Sequence, residues 1–109
     1  MITTNKKDFL FRYVQPEIRN QLKLDEEAMY STTDQVTADK ITKDILQFIS
    51  RKSLITDATA CIGGSTYSFS QNFSNVIAIE YDKTRFEYLQ YNMSILPVSY
   101  THLTLPTKA

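Results

Sequence analysis

Cysteine is nearly absent from this chain of 109 residues. The one present, Cys61, can build neither a disulfide framework nor a cysteine-rich metal centre, so no metal is expected. The single histidine, His102, falls in the C-terminal tail, which leaves Cys61 without a catalytic partner and favours a small buried side chain. An excess of one charge is missing too: 12 basic residues balance 12 acidic ones, so bulk charge announces no nucleic-acid binder. No apolar run approaches the roughly eighteen residues of a membrane span. The first residues lack the apolar core of a signal peptide, so the expected setting is intracellular, cytoplasmic or nuclear, with no membrane partner. Tryptophan is absent, and no repeat or low-complexity segment is present. Glycine occurs twice, as the adjacent pair Gly63-Gly64. Cys61 stands where the first glycine of a dinucleotide fingerprint belongs, no third glycine follows, and no Gly-Lys-Ser/Thr makes a P-loop.

What is there centres on Leu54 to Asp82, which reads as strand, glycine turn, helix and strand, closed by an acid. Leu54-Ile55 opens a short strand that reaches Asp57. Thr66 to Asn72 makes about two helical turns, with Phe69 and Phe73 one turn apart. Val76-Ile77-Ala78-Ile79 lacks polar alternation, which predicts a strand of a parallel sheet buried on both faces. Asp82 is placed to cap a helix carrying Phe86, Leu89 and Met93 on one face. Upstream, Pro16 separates two short helices, and Asp25-Glu26-Glu27 is expected to be solvated. Met29 to Thr37 is rich in Ser and Thr, which compete for backbone hydrogen bonds and favour loops and caps. Residues 38–51 predict a helix with Ile41, Ile45, Phe48 and Ile49 on its core face. The basic residues Lys6, Lys7, Arg12 and Arg19 form either a solvated face or an RNA-facing patch.

The chemistry of the turn follows from its position. Backbone N–H groups at the carboxyl end of a strand lie beside a helix N-terminus, and Gly63 and Gly64 allow close approach and positive φ. Asp57 can accept hydrogen bonds from a cationic ligand group. Glu80, at the end of the neighbouring strand, can accept two from the vicinal hydroxyls of a ribose. These groups suit a ligand with a ribose at one end and an ammonium or sulfonium at the other, and suit a pyrophosphate less well. The competing reading is an ordinary strand-to-helix turn with an acid as helix cap.

Asp57-Ala58-Thr59-Ala60-Cys61-Ile62-Gly63-Gly64-Ser65-Thr66 resembles motif I of class I S-adenosyl-L-methionine-dependent methyltransferases, and Val76 to Asp82 resembles their second motif. Within them the RNA cap guanine-N2 (trimethylguanosine synthase-like) family is most similar, and Tyr30-Ser31-Thr32-Thr33 resembles its segment upstream of motif I. Three positions depart from that pattern: Cys61 replaces a glycine, Ser65 an asparagine and Asp34 a proline. The resemblance implies an α/β fold, the strand–helix–strand–helix N-terminal half of a Rossmann-like sheet behind a helical N-terminal extension. It implies S-adenosyl-L-methionine as cofactor and RNA as methyl acceptor of the full-length parent. Asp57 would then lie near the methionine amino group, Ala60, Cys61, Gly63 and Gly64 would line methionine and ribose, Glu80 would hold the ribose hydroxyls, and Tyr81 would pack on adenine. Thr33 joins them from the upstream segment. The family's Asn/Asp-Pro-Pro-aromatic catalytic loop has no counterpart here, so no catalytic residue is assigned and the chain alone is expected to be inactive.

The tail from Pro97 to Thr107 resembles the conceptual translation of a transposase-end adapter used in DNA sequencing libraries. The expected organisation is therefore a helical extension and loop over 1–37, a truncated cofactor-binding domain over 38–96, and a non-native tail over 97–109. Two other readings stay open: a methyltransferase of DNA, protein or small molecules, and a non-catalytic nucleotide-binding α/β module.

Overall fold

The computed structural model describes residues 6–98 and 101–106, so part of the tail, residues 99–100 and 107–109, lies outside the described residues. Six helices and three strands follow in the order α1 (Lys6–Leu10), α2 (Pro16–Arg19), α3 (Glu26–Ser31), α4 (Gln35–Leu46), β1 (Leu54–Asp57), α5 (Gly64–Asn72), β2 (Asn75–Ile79), α6 (Lys83–Ile95) and β3 (Thr101–Thr104). The strands form one parallel sheet in the order β1-β2-β3. Leu54 pairs with Asn75 and Asp57 with Ala78, which brings the carboxyl ends of β1 and β2 side by side.

Local chemistry accounts for the helix boundaries. Pro16 opens α2, where its missing N–H is harmless. Asp82 caps α6 by accepting from the Arg85 N–H, as the sequence predicts. Two boundaries differ from the sequence expectation. Asp25 is a helix cap: its carboxylate accepts from the Ala28 N–H and starts α3 where loop was expected. Asp34 likewise accepts from the Thr37 N–H, so α4 begins at Gln35, ahead of Ala38, and ends at Leu46. Only residues 32–34 remain as loop between the two helices.

The face that α4 buries also differs. Ala38 and Thr42 are buried, whereas Ile41 is exposed and Phe48 is 84% exposed. The cause is α5, whose contact surface carries hydroxyls. Thr42 Oγ1 and Ser68 Oγ share a hydrogen bond of 2.7 Å, and Ser68 Oγ donates to Asp39 at 2.6 Å. Short polar side chains let the helices approach closely, and the longer apolar row is turned away. Burial on both faces of β2 is likewise incomplete: Val76 and Ala78 are buried, while Ile77 and Ile79 stay half-exposed.

The third strand lies in the tail that the sequence reading takes as non-native. Thr101–Thr104 pairs with Val76–Ile79 in parallel register. An open edge of β2 presents a row of N–H and C=O groups, and a β-branched segment that reaches it satisfies them. A single apolar cluster joins Leu10, Phe11, Val14 and Leu22 of the N-terminal segment to Ile62, Ala78, Leu89 and Met93. Burying each such large side chain contributes about 1.5–3 kcal/mol. The N-terminal helices are therefore held against the glycine turn and α6.

Candidate functional site

The site forms where β1 and β2 end. Asp57 closes β1, and the chain then turns through Ala58 to Gly63 before Gly64 opens α5. Two hydrogen bonds fix the turn: Gly63 N–H donates to Ala60 O at 3.0 Å, and Ala60 N–H donates to Ile79 O at 2.9 Å. The left-handed backbone falls on Gly63, with φ of 111°, and on Cys61, with φ of 53°. Cys61 is half-buried rather than enclosed as expected: it lines the cavity, with Sγ 3.7 Å from both Ser31 Oγ and Thr32 Oγ1.

The two glycines divide the work. Gly63 supplies the positive φ and lies under Leu89 and Met93. Gly64 supplies close approach, and what approaches is the chain itself: a Cβ there would stand 2.6 Å from both Thr32 Cγ2 and Thr33 O. The segment after α3 thus presses on the turn and becomes one wall of the site. A cavity of about 100 Å³ is enclosed between them, lined by Ser31, Thr32, Thr33, Asp57, Thr59, Ala60, Cys61, Gly64 and Ser65. A second cavity of about 330 Å³ shares Ser31, Thr59 and Cys61 with it and adds Glu27, Glu80 and Arg85.

Each acid is held firmly. Asp57 is 8% exposed and accepts from Thr66 Oγ1 at 2.8 Å. Burial pushes its pKa up, hydrogen bonds from Thr66 and the Thr59 backbone pull it back in part, and the charge of Glu80 raises it further. Glu80 accepts from the Cys61 N–H through Oε1 and from the Asp82 N–H through Oε2, both at 2.8 Å. Each carboxylate oxygen has two acceptor positions, so one on Oε1 is used to pin the turn and one on Oε2 to hold the chain ahead of α6. Arg85 is committed to Asp25 and Glu27, whose hydrogen bonds raise its pKa above the usual arginine value. The site therefore offers acceptors and hydroxyls, and Arg85, the one cation lining it among the described residues, is already paired.

Of the residues singled out from the sequence, Asp57, Ala60, Cys61, Gly64 and Thr33 come together around the first cavity. Glu80 meets Cys61 at the second. Gly63 lies behind the turn, and Tyr81 is 72% exposed and lines neither cavity. Sequence reasoning missed Thr66, Thr59, Ser31 and Arg85. A hydroxyl in the first turn of α5 beside a strand-end acid was a usable signal for Thr66; Arg85 carried none, since its partners lie 60 and 58 residues away. Among the described residues, no cluster of three or more His, Cys, Asp or Glu is arranged to hold a metal ion. Among the same residues, no helix is long and apolar enough to cross a membrane.

No protein-family model matches this chain, and no curated protein sequence matches it. Among solved structures, the chain is similar to the crystal structure of a putative methyltransferase from Porphyromonas gingivalis W83, with a TM-score of 0.64 and 16% sequence identity. The match covers 84% of this chain and 22% of that one. A likeness at this identity speaks to the fold: a small parallel α/β unit that matches part of a methyltransferase structure.

Proposed function

We propose that this chain is the cofactor-binding part of an S-adenosyl-L-methionine-dependent methyltransferase whose acceptor is RNA, of the guanine-N2 type, and that the catalytic loop belongs to a part of the parent not represented here. One observation carries the cofactor reading. Asp57 and Glu80 stand at the carboxyl ends of adjacent parallel strands and flank a glycine turn that opens a helix. The donor set fits the group. Of the three carboxylates in the two linings Glu27 is paired with Arg85, which leaves Asp57, Glu80 and a wall of hydroxyls, a set that suits a ligand bringing its own cation and hydroxyl donors. A pyrophosphate would meet two negative charges here.

When bound, the cofactor supplies an electrophilic methyl on a sulfonium centre. The residues of this chain bind and orient it. Asp57 holds an ammonium, the free acceptor positions of Glu80 take ribose hydroxyls, and the Cys61–Gly64 backbone keeps the ligand against the turn. No side chain here needs to move a proton; transfer is helped by alignment and exclusion of water. The RNA acceptor is supported by the family resemblance of the sequence, and the partial status by the short share of the neighbouring structure that is matched.

One observation favours a second reading, a nucleotide-binding or structural α/β module: both Glu80 oxygens already serve the backbone of the chain itself. Calorimetric titration of the full chain with S-adenosylhomocysteine separates the two. The proposal predicts saturable binding that weakens at least tenfold in Asp57→Asn, an isosteric change that keeps the Thr66 contact but removes the charge. Binding equal in the variant and the wild type, or absent from both, overturns the cofactor reading.

A further inference from the structure

The N-terminal helices and α4 carry an exposed surface that the cofactor site does not use. Tyr30 is 79% exposed, Tyr13 is 73% exposed, and Phe9 is exposed as well. Lys6 Nζ lies 5.7 Å from the Phe9 ring and 5.9 Å from the Tyr30 ring, which groups these three side chains. Arg12 stacks its guanidinium 4.4 Å over Phe9 and ion-pairs with Asp34, so it fixes the ring in place. Tyr13 follows directly. With Val36, Asp39, Lys40 and Lys43 it lines a groove of about 260 Å³ along α4. Lys40 and Lys43 are exposed, and neither forms an ion pair among the described residues. Of the acids on this face, Asp34 is neutralised by Arg12 and Asp39 accepts from Ser68. Among the groups named here, the four cations Lys6, Arg12, Lys40 and Lys43 stand with the two carboxylates Asp34 and Asp39.

We infer that Phe9 and Tyr30 with Lys6, and Tyr13 with Lys40 and Lys43, form a binding surface for single-stranded nucleic acid. Exposed rings offer stacking platforms for bases, and the lysines beside them meet phosphates. A duplex keeps its bases stacked inside and cannot use the rings. The surface also leads to the cofactor site, because Tyr30 is followed by Ser31, which lines both cavities. The inference deepens the RNA reading of the acceptor proposed above and rests on it.

The test is fluorescence anisotropy on the full chain with a labelled single-stranded RNA of about a dozen nucleotides. Wild type is compared with Tyr13→Ala, Tyr30→Ala, the double change Lys40→Glu with Lys43→Glu, and the exposed control Lys52→Glu. Expected is binding that falls roughly tenfold between low and physiological salt, as two or three phosphate contacts require. Each tyrosine change should weaken it by roughly tenfold, the lysine pair by more, and the control should leave it unaltered. RNA bound equally well by all variants overturns this surface while the RNA reading stands. Absence of binding to wild type overturns both. Equal affinity for the same RNA annealed to its complement overturns the stacking role of the rings. S-adenosylhomocysteine titrated in parallel tests the cofactor reading independently of every one of these outcomes.

Discussion

Replacing Gly64 by alanine tests the claim that the segment after α3 forms a wall of the site. The added Cβ would stand 2.6 Å from Thr32 Cγ2 and 2.6 Å from Thr33 O. Ordinary contact begins near about 3.5 Å, so a backbone carbonyl must retreat by roughly 1 Å. A side chain could swing away cheaply, but Thr33 O belongs to the main chain between two capped helices. Overpacking of this kind costs about 1–3 kcal/mol. Against it stands the higher helix propensity of alanine, worth at most about 1 kcal/mol and less at the first position of α5. The net expectation is a loss of about 1–2 kcal/mol, or about 4–16 °C in Tm for a domain of this size. Thermal and urea denaturation of the full chain reads the stability, and S-adenosylhomocysteine titration reads the cavity. Gly64→Ala is expected to lower Tm and to weaken binding together. An unchanged or raised Tm would refute the close approach.

Three further outcomes follow from the same geometry. Asn92 is fully buried, accepts from the Lys23 N–H, and donates to Lys23 O and Ile62 O; Asn92→Leu strands these groups and should cost about 3 kcal/mol or more in urea denaturation. Cys61→Gly relieves a left-handed backbone and should raise stability by about 0.5–1 kcal/mol in the same assay, with a loss counting against strain at φ of 53°. Asp57 has a raised folded-state pKa, so its contribution to stability is fully present below its unfolded value of about 3.9 and is lost as pH rises through the folded value. Asp25 and Asp34 shift the other way: burial works against their charge, but hydrogen bonds and the guanidiniums of Arg85 and Arg12 outweigh it, so their contributions are lost as pH falls through the lowered values. Unfolding of Asp57→Asn and wild type across the acid range should therefore show wild type gaining on the variant as pH falls; a constant difference contradicts the raised pKa.

Legibility from sequence tracked the range of the interactions. The strand, glycine turn, helix and second strand are all local signals, and each is found in place, as are the Pro16 break and the Asp82 cap. Asp57 and Glu80 were legible because strand ends place them without knowledge of any distant contact. Sequence leaves the cap roles of Asp25 and Asp34 open, because an acid beside or within a Ser/Thr-rich stretch reads equally as solvent-facing or as cap. The apolar face of α4 was misjudged because periodicity cannot report that α5 offers hydroxyls rather than a greasy surface. The wall formed by Thr32 and Thr33 was invisible in spacing, since it depends on contact across about 30 residues. Resemblance to a known upstream segment pointed to Thr33, and no periodicity did.

Whether the carboxylate-flanked turn takes a nucleoside cofactor is decided by amide NMR of the full chain during titration with S-adenosylhomocysteine. Saturable shifts are expected at Thr59 to Ser65 and at Glu80 to Asp82, with smaller ones at Ser31 to Thr33. Shifts centred elsewhere, or none at millimolar ligand, would contradict binding at the turn.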